Sequence, residues 1–441
     1  MKDIRAAIIP HAGSEYSGAA RQNAFKFFND VNYIIYISAI HKSTNLNEKT
    51  YLLYKDDEFD KFDVNLTKLP YTEHSFDWVK PELHQYFPKA QILAITPLSN
   101  DENIINWVVN FLEKNNDCIL LGTTDLIHYG KRFKNEDFLK YPQQLFKQKK
   151  EEGFINALIK NPINTQTINT FTENHDLMCG PYAINLFVEI IKRVHYNGKV
   201  VDYYDSNTSH VTDLLDKYVI HPEKIDNLVS YVSIIYGPNL KRNKLIDFDI
   251  MIAIGAVKSQ IYQDVVRGDY ILSLPSWSPM YTRTHGVFVG TSIDGRTNCS
   301  YGRYEDGSGS SAKKIVQAAG NCFNDALQRW ELPYNLNILD KMNYKVELLD
   351  SKNTWKKYKG SETHKKFKMD GKHGIYLTLP SGSSATYLPV VARENLDWSI
   401  NKYMTSLTEK AGGKGNEWIN GTIKVYKSQS YIWDAEKQKI I

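Results

Sequence analysis

Cysteine is scarce in this 441-residue chain: Cys118, Cys179, Cys299 and Cys322 are the whole complement. They are too few and too scattered for a disulfide framework. Long apolar runs are missing as well. None approaches the roughly 18 residues of a membrane span, and the opening MKDIRAAIIPHAG is broken too soon for the apolar segment of an export signal. Neither sign of charge dominates, since 54 basic and 50 acidic residues leave a net charge of +4. No long basic run offers a nucleic-acid surface. These absences point away from nucleic acid and membrane, and toward a soluble, cytoplasmic chain. What remains is ordinary for a globular protein, with 42% hydrophobic and 24% charged residues. The length exceeds one usual core, so two domains are expected.

The first half alternates short apolar runs with amphipathic stretches, the pattern of an α/β domain with a partly parallel sheet. Strands are predicted at 5–10, 32–40, 90–98, 117–126, 199–205 and 228–237. Helices are predicted at 103–115, where Ile104, Trp107, Val108 and Phe111 recur at helical spacing, and at 179–194, with Pro181 in the first turn. The polar, basic stretch GPNLKRNKLID reads as a linker, which sets expected domains at 1–237 and 249–441 joined by 238–248. Beyond it a helix at 315–330 and strand-like runs at 342–349, 373–380 and 385–392 are less regularly interleaved, which suggests an α+β domain.

Three predicted strands run into a histidine: IIP into His11, YISAI into His41, and CILLGTTDLI into His128, with Asp125 just before. The carboxyl ends of parallel strands form the crevice where open α/β sheets bind ligands, so these imidazoles would converge if the strands are neighbours. Two imidazoles and one anionic donor are a common way to hold a redox or Lewis-acid metal with positions left open. Cys179, just before the helix at 179–194, is the candidate third donor, because a helix N-terminus favours a thiolate. Each imidazole needs an acceptor on its other ring nitrogen, a place Asp125 could take, or Asp125 could orient His128 as a proton shuttle. Glu73 and His74 are candidates for a pocket rim or for a solvated loop. Taken singly, a strand-end histidine is ordinarily a solvated loop residue and a lone buried cysteine an inert small hydrophobe.

The stretches PHAG and YSG, IHKS, EHS at 73–75, TTDLIHYG at 123–130 and CG at 179–180 stand in the order found in the Memo family, which this half resembles. That family in turn resembles the class III extradiol ring-cleaving dioxygenases, with a LigB-type fold, and has a cysteine where they have a glutamate metal ligand. The resemblance implies an N-terminal dioxygenase-like domain with a central mixed sheet flanked by helices. It implies His11, His41 and Cys179 as metal ligands, and Asp125 with His128 as the outer pair, His128 being the acid/base group. Iron(II) follows from the dioxygenase likeness, copper from the thiolate, and zinc suits the same donors. The sequence departs from the family at Ser14, Lys42 and Val79, where an aromatic and two histidines are usual.

The second half, through GVFVGTSIDGRTNCSYG, ATYLPVVA, Trp398 and MTSLTEKAGG, resembles the AMMECR-type domain, which is α+β. Of that family's Arg-Gly-Cys-Ile-Gly motif only Cys299 and Gly302 remain, in the run Thr297, Asn298, Cys299, Ser300, Tyr301, Gly302. Cys299 is a possible second-domain nucleophile, though no base lies near it in sequence and a structural role is the ordinary reading. GSGSSAKK lacks the spacing of a phosphate loop and reads as a flexible loop. Microbial relatives of the two halves are often encoded beside a radical SAM protein, which makes such a protein an expected partner. Three functions fit these residues. The first is a metal-dependent oxidoreductase, dioxygenase-like, acting on a small organic substrate. The second is a module that binds a peptide or partner in the same cleft. The third is a cysteine-nucleophile hydrolase or transferase, with Cys179 served by His128 and Asp125.

Overall fold

The apolar runs AAII, YIIYI, QILAITP and CILLGT are buried almost throughout, without the in-and-out alternation of a half-exposed strand. Continuous burial is the mark of parallel strands covered on both faces. In the computed structural model they are β1 (Ala6–Ile9), β2 (Tyr33–Ile37), β4 (Gln91–Pro97) and β5 (Cys118–Thr123), with β3 (Thr50–Lys55) between β2 and β4 in the chain. Strands β6 (His128–Gly130), β7 (Asn197–Asp205) and β8 (Asn227–Gly237) follow. The structure describes all residues except 1–2, 30, 43–45, 58, 60–65, 134–142, 161–162, 174–176, 212–213, 221–226, 267–271, 305–308 and 331–335.

The strands form one mixed sheet in the order β3-β4-β2-β5-β1-β8-β6, with β7 also on β8. Pairs β2–β4, β2–β5 and β1–β5 are parallel; β3, β6, β7 and β8 pair antiparallel. Helices of this half are α1 (Ser14–Phe25), α2 (His74–Asp77), α3 (Lys80–Tyr86), α4 (Glu102–Lys114), α5 (Gln143–Ile159), α6 (Thr165–Thr172) and α7 (Pro181–Arg193). On one face Ala7, Ile9, Ile34 and Ile92 pack with Phe25 and Phe28 from the α1 region and Leu83 and Phe87 from the α3 region. Each of the Ile, Leu and Phe side chains contributes about 1.5–3 kcal/mol on burial. On the other face α7 lies so close to β5 that a methyl group on Gly122 would meet the Phe187 ring at 2.6 Å. The start of α4 is fixed by Asp101, whose carboxylate accepts from the amides of Asn103 and Ile104.

The chain divides into two units, residues 1–255 with 268–279 and residues 256–267 with 280–441. The division falls inside α8 (Asp247–Val266), a helix that begins where the expected linker ends and that the sequence reading did not predict. The second unit is built on an antiparallel sheet of β9 (Val287–Ile293), β10 (Arg296–Arg303), β11 (Asn343–Leu349), β12 (Lys356–Lys359), β13 (His373–Thr378), β14 (Ser384–Tyr387), β15 (Thr422–Asp434) and β16 (Lys439–Ile440). Its order is β10-β9-β11-β15-β13-β14, with β12 and β16 on β15. The run 385–392 is a strand only in its first part. Pro389 opens the helix Pro389–Glu394, since a proline has no N–H to give a strand but suits a helix start. A disulfide joins Cys299 on β10 to Cys322 on the helix Ser311–Trp330. In that bonded form Cys299 is no free nucleophile. Among the described residues no helix is long and apolar enough to cross a membrane.

Candidate metal centre

Because β5 lies between β2 and β1 in register, with Ile37 opposite Gly122 and Ile9 opposite Thr123, the three carboxyl ends finish side by side. His11 stands two residues beyond β1 and His41 four beyond β2. Cys179 arrives from the opposite direction, at the entry to α7. Its neighbour Gly180 caps that helix in the left-handed conformation, with φ of 70°. A side chain there is excluded twice, since a Cβ would also come within 2.5 Å of the Ala39 Cβ in the loop after β2. That close seat brings the Cys179 thiol over the ends of β1 and β5.

The donors of His11, His41 and Cys179 all lie within 4.8 Å of one another. Cys179 Sγ is 3.2 Å from His11 Nε2. The other nitrogen of each imidazole is already engaged: His11 Nδ1 with Thr123 Oγ1 at 2.9 Å, and His41 Nδ1 with Glu73 Oε1 at 2.8 Å. That leaves each Nε2 for the shared point, the division of labour that metal-binding imidazoles adopt. Glu73 is buried and caps α2, accepting from the Ser75 amide, and its second oxygen accepts from the His41 amide at 2.9 Å. It is no solvated loop residue. Asp125 takes a different place from either expected one. Its carboxylate accepts from the backbone amides of His11 (2.9 Å) and Ala12 (3.4 Å), and its own amide donates to Cys179 Sγ at 3.2 Å.

Burial pushes the His11 imidazole down to about 4, with Asp125 opposing, so the ring is neutral at ordinary pH, as a metal ligand must be. Burial works against the Glu73 charge, but the ring and amide of His41 and the amide of Ser75 outweigh it and hold the carboxyl at about 2. For Cys179 the expected helix effect loses. Burial, and after it the Asp125 carboxylate, hold the thiol well above its usual value, so only a cation at the site would make it a thiolate. The metal-free chain should therefore lose stability in two windows on acidification. His11 binds a proton more readily unfolded, so its contribution is complete above 6.5 and lost between there and about 4. The Glu73 contribution is present above 4.5 and lost toward about 2. The upper window is worth about 3 kcal/mol, and the lower one less, because the His41 ring opposite Glu73 is open to solvent. Denaturant unfolding at about pH 7.5, 5 and 3 measures both, and His11→Asn should flatten the upper one.

His128 does not end β5, which stops at Thr123; it opens β6, turned toward the same cavity. Its Nδ1 is 2.9 Å from the Leu126 carbonyl, and burial lowers its pKa. The nucleophile reading needs His128 against Cys179 and Asp125 behind it. Instead His11 is the imidazole at the Cys179 sulfur, and Asp125 serves His11 as well, with Oδ1 on the His11 and Ala12 amides and Oδ2 3.7 Å from His11 Nε2. A cavity of about 960 Å³ opens over His11 and His41, with His74, Tyr16, Trp78 and Arg132 also on its wall. Sequence reasoning missed Thr123 and, below the site, a buried clamp. Arg21 donates from Nε to Glu82 Oε2 at 2.7 Å and from Nη2 to Oε1 at 2.6 Å. Its Nη1 holds the carbonyls of Pro10 (3.3 Å) and Ala12 (2.8 Å), on either side of His11. The helical spacing of Ser14, Ser17 and Arg21 on one α1 face was the available signal.

A mixed sheet with a two-histidine, one-cysteine donor set at its strand ends, followed by an antiparallel α+β unit, defines the class of protein. The family model described as Memo-like protein matches residues 46–219, and the one described as AMMECR1 matches residues 253–433. The chain is a Memo-like domain fused to an AMMECR1 domain. The Memo-like match begins beyond His11 and His41, so their place beside Cys179 rests on the structure. Among curated proteins no relative matches the chain. A crystal structure of an uncharacterized protein from Pyrococcus horikoshii is similar at 16% identity and a TM-score of 0.38, covering 45% of this chain and 97% of that one.

Proposed function

We propose that the Memo-like domain is a metal-dependent oxidoreductase, with His11, His41 and Cys179 as ligands of iron(II) or copper, or alternatively zinc. The substrate is a small organic molecule admitted through the cavity over the site. The observation that carries this reading is the convergence of three donors whose imidazoles both have Nδ1 engaged and Nε2 left over. Bound there, the metal would supply redox or Lewis-acid chemistry at an open position. The chain's own groups do the rest. Thr123 and Glu73 keep the rings turned, Asp125 holds the His11 loop by its amides, and His128 passes a proton to or from the substrate. A radical SAM protein is the partner this reading carries with it. The test is elemental analysis of the full chain purified anaerobically without an affinity metal. Near-stoichiometric iron or copper is expected in the parent and none in a His11→Ala/Cys179→Ala variant. No metal in the parent, even after reconstitution, would sink the reading.

A second reading, a module that binds a peptide or partner in this cleft, has one observation in its favour: Trp78 and Tyr16 stand exposed on the cavity wall, 50% and 40% accessible. Under it, Trp78→Ala would abolish partner binding and His11→Ala would spare it.

A further inference from the structure

Glu73 Oε1 serves more than one imidazole. It lies 2.8 Å from His41 Nδ1 and 3.3 Å from His74 Nδ1. The two rings stand nearly side by side, centroids 4.0 Å apart and tilted by 35°. His41, Glu73 and His74 each offer a donor atom within 4.8 Å of the others, a second convergent set that shares His41 with the first. Both imidazoles reach solvent, with side chains 30% and 40% accessible, while Glu73 below them is buried. The carboxylate is thus fixed, and the face above it is open.

The two sets differ in chemistry. His11, His41 and Cys179 include a soft sulfur, which suits copper(I). Two imidazoles and one carboxylate make a harder set with open positions, suited to divalent iron, cobalt or zinc. We propose that His41, Glu73 and His74 form a second cation site, for a divalent ion of borderline hardness, joined to the sulfur site through the His41 ring. The inference rests on the sulfur site being a metal site. His41 then faces one ion through Nε2 and the other through Nδ1. The Nδ1 proton now shared with Glu73 leaves to solvent when the second ion binds, and so does any proton on His74 Nδ1. Charge closes on this arrangement. Copper(I) and a divalent ion bring three positive charges, against one each from the Cys179 thiolate, the bridging imidazolate and the Glu73 carboxylate. With one ion present, Glu73 orients His41; with two, it becomes a ligand.

The experiment loads the full chain anaerobically with copper(I), removes the excess, and titrates cobalt(II) while recording visible spectra and the metal retained after desalting. The parent should retain one copper and one cobalt per chain, the cobalt showing d–d bands without a sulfur charge-transfer band. His74→Ala should retain the copper, which shows that the fold and sulfur site persist, and hold cobalt at least tenfold more weakly. Copper without cobalt in the parent, or equal cobalt retention in the variant, overturns the second site alone. No copper in the parent overturns the paired copper and divalent-ion arrangement, and no iron or zinc in the same chain after reconstitution overturns the sulfur site with it. Because Trp78 packs 4.7 Å from His74, parent fluorescence should fall with the cobalt step, and fall less in Trp78→Phe.

Discussion

Replacing Cys179 with alanine should weaken metal binding by more than a hundredfold. With one ion at the site, the thiol is the donor of the sulfur set that would bring a full negative charge, and burial, with Asp125 after it, holds the thiol well above its usual value. The ion therefore gains a thiolate bond and relieves a buried carboxylate in the same event. Alanine removes both and leaves two neutral imidazoles, which the first-row ions hold weakly. Thr123→Val supplies the scale. It keeps all three donors and removes only the acceptor on His11 Nδ1, for which a 10- to 100-fold loss is expected. Competition with a chromophoric chelator measures both. Thermal melts give an independent reading, because an ion that binds only the folded chain raises its stability by RT ln(1 + [L]/Kd). The metal-induced rise should vanish in Cys179→Ala and shrink in Thr123→Val. Equal affinity in parent and Cys179→Ala would remove the sulfur from the site.

Arg21→Met should cost about 3–5 kcal/mol of folding stability, the range for removing one partner of a buried ion pair. Glu82 is 7% accessible and Arg21 fully buried, so the abandoned carboxylate has little water to turn to. Two further losses add to this: the carbonyls of Pro10 and Ala12 lose the guanidinium donor, Ala12 keeping the one from Ser17 Oγ, and Ser17 Oγ loses a contact of 2.6 Å. The double variant Arg21→Met/Glu82→Leu should recover most of the deficit, since well-packed apolar replacements of buried pairs are often neutral. It should not recover metal affinity in full, because the loop that presents His11 then loses its guanidinium tie and is held by Asp125 through the His11 and Ala12 amides and by Ser17 through the Ala12 carbonyl. Denaturant unfolding of the parent, both single variants (Arg21→Met and Glu82→Leu) and the double variant separates the two contributions. If the double variant were as unstable as the single, the charge argument would fail and packing alone would account for the loss.

The two halves of the site differ in how readable they were. His11 and His41 could be picked out because each follows an apolar run of strand length, and parallel strands deliver their ends to one edge. Cys179 could be picked out because a proline-led amphipathic helix begins two residues later. The partners that make these donors useful left no such trace. Glu73 reaches His41 across 32 residues and Arg21 reaches Glu82 across 61, and a contact between two loops or two helices has no period in sequence. His128 sits differently from its expected strand end for a related reason: the run CILLGTTDLIHYG hides a break at Thr123, where β5 ends and a new antiparallel strand begins five residues on. In α8 a dense apolar run around Gly255 gave no clear helical face. The thirteen-residue β15 carries Lys and Ser in its middle and was not read as a strand. The pairing of Cys299 with Cys322, 23 residues apart, was likewise beyond spacing alone.

The left-handed seat of Gly180 on Ala39 bears on the order of events in the life of the chain. His11 and Cys179 are 168 residues apart, and they meet only after β1, β2 and β5 have paired and α7 has docked. Short metal-binding modules with adjacent ligands are organised by the ion they capture. Here the scaffold must be finished before there is anything for an ion to find. If the site takes a metal as proposed, loading would be a late maturation step, and a metal-starved cell would accumulate folded, empty protein that can still be charged when supply returns.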